Sequence, residues 1–376
     1  MAEYVNLGIY FRRISTFPHL STLSWGESFA HTPFISESNL SQINMRELLE
    51  GFTKQLHMAL EVGSKIAVTQ PEDEIRNVVI AGLGGSGIGG TLAEAITYND
   101  IKAPISLAKS YEIPSFVGKH TLFVACSFSG NTEETLEVLG KALEAGAKVV
   151  AITTGGKLAA LAEEKGLDRV VFEGLAPNPR QHLPYSLTLL LLTLKAYGLT
   201  ALDFESQAAN AAKLIDDNFD SIKAEAKELA GKLKGKLPIL YSGTQLGGLT
   251  VRFQQQLNEN SKQLAHANVF PEMNHNELVG WKKLENILGQ SVVMVFRSPS
   301  EHSRVGMRLD ICTEIFEKKA EEVITLQPKG NSLLEQILYY TSLTDWVSFF
   351  LAELNEVDPF PVDVITYLKD ELAKVK

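Results

Sequence analysis

Cysteine is nearly absent from this chain of 376 residues, with only Cys126 and Cys312 present and no CxxC pair. Two distant cysteines make no disulfide framework and show no cysteine–histidine spacing suited to zinc, so no metal is expected and a reducing, cytoplasmic setting fits best. An excess of positive charge is lacking too. The formal net charge is −10, whereas nucleic-acid binders rely on basic patches that displace counterions, so no nucleic-acid partner is expected. Any anionic ligand must be held by a local arrangement. Long apolar runs are also missing: residues 187–194, the most apolar stretch, are interrupted by threonines and fall well short of the roughly 20 residues of a spanning helix. No membrane partner follows, and the first residues lack the basic start, apolar core and small-residue cleavage site of a secretory signal.

What is present is ordinary for a globular protein, and the length allows about two domains. Residues 1–44 are rich in Ser, Thr, Phe and Pro without a sustained period and read as an N-terminal extension. From Met45, the apolar positions Leu48, Leu49, Phe52, Leu56 and Leu60 recur at helical spacing, and the β-branched run Val78-Val79-Ile80 follows. The pattern then alternates: a glycine turn, a helix from about Thr91, a strand at 122–125, a turn, a helix at 133–145 and a strand at 149–153. Such alternation predicts an α/β fold in which a parallel sheet carries helices on both faces.

A polar, Ala/Lys-rich helical stretch at 207–234 leads to a second strand, Ile239-Leu240-Tyr241, and to Ser242-Gly243-Thr244-Gln245-Leu246-Gly247-Gly248. Laid over the earlier Gly84-Gly85-Ser86-Gly87-Ile88-Gly89-Gly90, this segment pairs Gly85 with Gly243, Ser86 with Thr244 and the two Gly-Gly pairs with each other. The chain thus reads as one βαβ unit duplicated: two tandem doubly wound parallel sheets, over 45–205 and 206–376. The strand at 292–296 occupies the place of the one before Ser127, but Arg297-Ser298-Pro299-Ser300 replaces the first half's turn. Only the first half keeps a full set of small hydroxyl residues, which places the anion site there.

In that half, Gly84-Gly85-Ser86-Gly87 allows backbone N–H groups to approach a ligand closely, and the helix after it points its positive end the same way. The second turn, Ser127-Phe128-Ser129-Gly130-Asn131-Thr132, offers three hydroxyls, with Thr132 suited to cap the helix that begins at Glu133. Tight strand-to-helix packing would explain one glycine loop. Two such turns in successive βα units point instead to a phosphate cradle formed by Gly85, Ser86, Ser127, Ser129 and Thr132 at the carboxyl edge of the sheet. A nucleotide is disfavoured, because the first loop lacks a P-loop lysine and a GxGxxG spacing.

These residues also carry a resemblance. Gly84 to Gly90 together with Ser-Gly-Asn-Thr-Glu-Glu-Thr at 129–135 is similar to the sugar isomerase (SIS) domain, and later motifs resemble the bifunctional phosphoglucose/phosphomannose isomerase family over about residues 45–376. The resemblance implies reversible isomerisation of glucose 6-phosphate, and of mannose 6-phosphate, with fructose 6-phosphate through a cis-enediolate, with no cofactor. Metal-independent chemistry of this kind needs a base, a cation for the enediolate and a ring-opening acid. In Asn258-Glu259-Asn260, a carboxylate between two amides, the resemblance makes Glu259 the base. His275, in Asn274-His275-Asn276-Glu277, would open the pyranose ring, and the family pattern supplies it across the interface of a homodimer. Arg180, stiffened by Pro177 and Pro179, would stabilise the enediolate, although Gln181-His182-Leu183-Pro184 follow it where the family has small residues. Lys369 in the closing helix matches the lysine that assists ring opening. Phe360 or Val362 stands where the family often has a threonine linked to accepting both C2 epimers, so the resemblance carries activity on glucose 6-phosphate further than activity on mannose 6-phosphate. No cysteine follows Met1, which argues against an aminotransferase. A regulatory protein that binds sugar phosphates without turning them over would use the same cradle.

Overall fold

A computed structural model describes residues 44–176 and 178–375. The expected N-terminal extension, apart from Asn44, and Pro177 lie outside the described residues. Asn44 is the first of the described residues. Its Oδ1 accepts from the Glu47 N–H at 3.0 Å and Glu47 Oε2 accepts from the Asn44 N–H at 3.3 Å, a reciprocal cap on helix α1 (Met45–Glu50). Gly51 interrupts the helical pattern there, and α2 (Phe52–Gly63) continues it.

The first half then runs β1 (Asn77–Ala81), α3 (Gly84–Thr97), β2 (Ile105–Ala108), β3 (Thr121–Ser127), α4 (Glu133–Glu144), β4 (Lys148–Thr153), α5 (Gly156–Glu164), β5 (Asp168–Val171) and α6 (Leu183–Ala196). Its five strands are parallel in the order β2-β1-β3-β4-β5. Helices α7 (Phe204–Asp217) and α8 (Phe219–Leu233), divided at Asn218, lead into the second half. That half contains β6 (Leu237–Gly243), α9 (Gly247–Glu259), β7 (His266–Phe270), the short α10 (Glu277–Gly280) and α11 (Glu285–Leu288), β8 (Ser291–Phe296), α12 (Ser303–Phe316), β9 (Glu322–Leu326), α13 (Leu333–Leu354) and α14 (Asp363–Ala373). Its strands are parallel in the order β7-β6-β8-β9. The two sheets share one winding, as the duplicated glycine segments imply.

The first helix of the first half differs from expectation. It starts at Gly84 rather than near Thr91, so the glycines lie within its opening turns. Helix and strand approach too closely for side chains here: a Cβ on Gly87 would stand 2.4 Å from the Gly82 carbonyl oxygen. One apolar core joins the halves, running from Val78 and Leu122 of the first sheet through α6 and α13 to Leu240 and Met294 of the second. Helix α13 is buried from Leu334 to Ala352, and polar residues within it such as Asp345 and Ser348 are paired in the interior. Separate clusters cover the outer faces of the two sheets. At the other extreme, α14 has no buried residue, and Val364, Tyr367 and Leu368 are exposed along it. No helix among the described residues is long and apolar enough to cross a membrane.

Candidate active site

The two turns expected to form the cradle meet at the point where the first sheet reverses its strand order, between the carboxyl ends of β1 and β3. Ser86 ties the two turns together, its Oγ accepting from the Phe128 N–H at 3.1 Å. Thr132 occupies the N-cap position of α4 with extended backbone, but its hydroxyl meets the Ser127 hydroxyl at 2.9 Å instead of capping the helix. Leu83, at the same position before α3, has no capping group. Both helices therefore present their first N–H groups without a side-chain acceptor, the arrangement that receives an anion. Gly130 is required by the turn. Its φ is +67°, and a Cβ would stand 1.8 Å from the Gly155 carbonyl oxygen. Ser129 is exposed above it, with its Oγ accepting from the Asn131 N–H at 3.2 Å. Beneath the turns, Ser86, Ser127 and Ser186 line a cavity of about 20 Å³, room for a water but not for a sugar ring.

Gly85 brings the next element in. A Cβ there would lie 3.1 Å from the Pro179 carbonyl carbon and 3.2 Å from the Arg180 nitrogen, so the short 3-10 turn Pro179–Gln181 rests on the cradle. Arg180 extends from this turn to the end of α9 and is buried. Its Nε donates to Asn260 Oδ1 at 2.7 Å and its Nη1 to Glu259 Oε2 at 3.4 Å, while Nη2 donates to the carbonyls of Pro359 and Phe360 at 2.7 and 3.0 Å. A guanidinium has five N–H donors, so among the described residues one of them is left for a ligand. Burial draws the Arg180 pKa down and the neighbouring Glu259 and Asp345 charges oppose it. Glu259 itself keeps a partly exposed carboxylate at the last residue of α9. Lys262 binds the Glu259 carbonyl at 2.6 Å and that of Pro361 at 2.8 Å, which holds the chain before α14 against the same spot.

Two supports of Arg180 were not expected from the sequence. Arg252, buried on α9, pairs with Asp345 of α13 at 2.5 and 3.0 Å and donates to the Arg180 carbonyl at 3.0 Å. The signal was a carboxylate in the middle of the apolar run that forms α13, and an arginine on the helix face shared by Leu249, Phe253 and Gln256. His182, fully buried, donates from Nδ1 to the Asn178 carbonyl at 2.8 Å and accepts at Nε2 from the Leu175 N–H at 3.0 Å. Its ring lies 4.6 Å from that of Phe128, so it joins the arginine segment to the cradle. Its departure from small residues thus serves packing.

His275 and Lys369 are placed differently. His275 ends a short 3-10 turn beyond β7, exposed, and no hydrogen bond of its ring to Arg180 or Glu259 occurs. Lys369 is exposed on α14. Within one chain, then, the cradle, Arg180 and Glu259 come together, and His275 and Lys369 remain at the surface.

The profile of the bacterial phospho-glucose isomerase C-terminal SIS domain matches residues 222–372. The bifunctional phosphoglucose/phosphomannose isomerase of Caldicellulosiruptor bescii is 38% identical over 342 residues, covering 88% of this chain and 100% of that protein. The chain belongs to this family. The bifunctional isomerase of Aquifex aeolicus is similar at 36% identity over 301 residues, 80% of this chain and 91% of that one. Membership in the bifunctional isomerase family accords with the fold, which is that of SIS-domain proteins: the structure of tagatose-6-phosphate ketose/aldose isomerase from Escherichia coli superposes with a TM-score of 0.64 at 13% identity, covering 85% of this chain and 95% of that one.

Proposed function

We propose that this chain is an aldose–ketose isomerase that interconverts glucose 6-phosphate, and mannose 6-phosphate, with fructose 6-phosphate through a cis-enediolate. The observation that carries the reading is the Arg180–Glu259 pair held against the cradle. A phosphate on the N-termini of α3 and α4 anchors one end of the sugar, and Ser86, Ser127, Ser129 and Thr132 surround it with hydroxyls. Glu259 removes the C2 proton of the open aldose and returns it to C1, while the free Arg180 donor faces the charge that develops on the C1 and C2 oxygens. Glucose and mannose phosphates differ only at C2 and lose that difference in the planar enediolate. The base therefore has to reach one carbon from two presentations.

Ring opening is assigned to His275 and Lys369. The exposure of His275, with Val279 and Leu284 exposed near it, supports a homodimer in which each chain donates His275 to the other's site. We divide the chain into halves at 205/206, the first binding phosphate and the second carrying the base. The test is NMR of EDTA-treated protein with fructose 6-phosphate in D₂O. Deuterium at C2 of both aldose phosphates is expected, and Glu259→Gln should lower turnover by about 10²- to 10⁴-fold with phosphate binding intact. Binding without exchange in the native protein would overturn the catalytic reading.

A further inference from the structure

His275 makes no hydrogen bond through its ring among the described residues, so the loop that carries it must set its direction. That loop is anchored on both sides. Two residues before His275, Met273 is fully buried against Trp281, Tyr241 and Phe316. Two residues after it, Glu277 begins α10 and collects donors from both neighbouring strands. His266 Nε2 lies 2.9 Å from Oε1, Asn268 Nδ2 donates to Oε2 at 2.5 Å, and the Tyr241 hydroxyl donates to Oε1. The parallel register of β6 and β7 sets Tyr241 beside Asn268, and His266 and Asn268 share one face of β7 as alternate residues. Trp281 Nε1 donates to the Tyr241 oxygen at 3.0 Å and so fixes that hydroxyl.

We infer that Glu277, with Tyr241, His266 and Asn268, is the positioning device that aims His275 at the sugar ring. Although burial by itself raises the Glu277 carboxyl, the hydrogen bonds from His266, Tyr241 and Asn268 hold it at about 2. The acceptor is thus ionised throughout the neutral range and binds its donors at full strength. A loop fixed in this way delivers an imidazole at constant angle without a partner of its own, which leaves both ring nitrogens free to exchange protons with substrate. The inference rests on the ring-opening role proposed for His275, and the experiment separates the two.

The full chain is mixed with glucose 6-phosphate, and interconversion of its α and β anomers is followed by exchange NMR. In parallel, affinity is measured for an acyclic aldonic acid phosphate, which needs no ring to open. His275→Ala sets the floor for anomer interconversion. Glu277→Gln is expected to slow it by about 10- to 100-fold, as a misplaced acid does, with acyclic affinity changed by no more than about two-fold. His266→Ala removes one donor at a half-exposed position, where folding is not at stake, and should give the same split at about three-fold. Wild-type interconversion in both variants while His275→Ala is slow would refute the positioning role, and so would equal losses in both measurements. A wild-type rate in His275→Ala itself would instead remove the ring-opening reading of His275.

Discussion

Asp345→Asn tests whether Arg180 is set from below by a buried ion pair. Asp345 and Arg252 have side-chain exposures of 2% and 3%, so neither charge has water to fall back on. The carboxylate accepts from Arg252 Nη1, Arg252 Nη2 and Gln256 Nε2. An amide at that position keeps one acceptor oxygen and turns an NH₂ group toward donors, leaving the guanidinium buried without a counter-charge. Breaking a buried pair from one side costs about 3–5 kcal/mol, a large share of the roughly 5–15 kcal/mol by which proteins are stable. With a urea slope of about 1–3 kcal/mol/M the midpoint should fall by about 1 M or more.

The double variant Arg252→Met/Asp345→Leu removes both charges and should recover most of that stability, since apolar replacements of buried pairs are often neutral or stabilising. It should not recover turnover, because the Arg180 carbonyl has lost the Arg252 donor that supports its turn. Urea titrations of the three proteins, beside isomerase kinetics, make the comparison. A loss below about 0.5 kcal/mol in Asp345→Asn, or a double variant as unstable as the single one, would refute this account of the pair.

Three further outcomes follow from the site. Ser129→Ala should weaken inhibition by inorganic phosphate while kcat holds within about two-fold, and an unchanged inhibition constant would remove Ser129 from the cradle. Gly130→Ala should unfold the second turn, since its Cβ cannot fit 1.8 Å from the Gly155 oxygen, and a variant with native melting temperature and phosphate affinity would contradict that geometry. The His182 imidazole is held neutral by burial, which lowers its pKa against the smaller opposing effect of the Asn178 hydrogen bond. Its contribution is therefore complete above the unfolded value of about 6.5 and is lost as pH falls below it toward the folded value. The acid limb of stability against pH should be shallower in His182→Gln, and identical slopes would disprove the linkage.

Much of this protein could be read from its residue order. β-branched runs alternating with helical spacing announced parallel sheets, and repetition of Gly-Gly spacing announced that there are two, because strand and helix periods are local properties of neighbouring residues. The meeting of the two turns proposed as the cradle was legible for the same reason: both are continuous segments, and their place after buried strands sends them to one sheet edge. The meeting of Arg180 and Glu259 followed only from the family resemblance, since nothing local specifies that the end of α9 packs against the turn resting on Gly85. Nor could sequence show that Thr132 would satisfy Ser127 instead of its helix, a choice between a neighbouring hydroxyl and the helix N–H donors that only three-dimensional placement settles. The Arg252–Asp345 pair and the donors around Glu277 belong to the same class. Local patterns determined the elements and the two turns at the sheet edge. Packing across the shared core decided which buried polar groups met, because a charge removed from water must find its partner wherever the fold brings one.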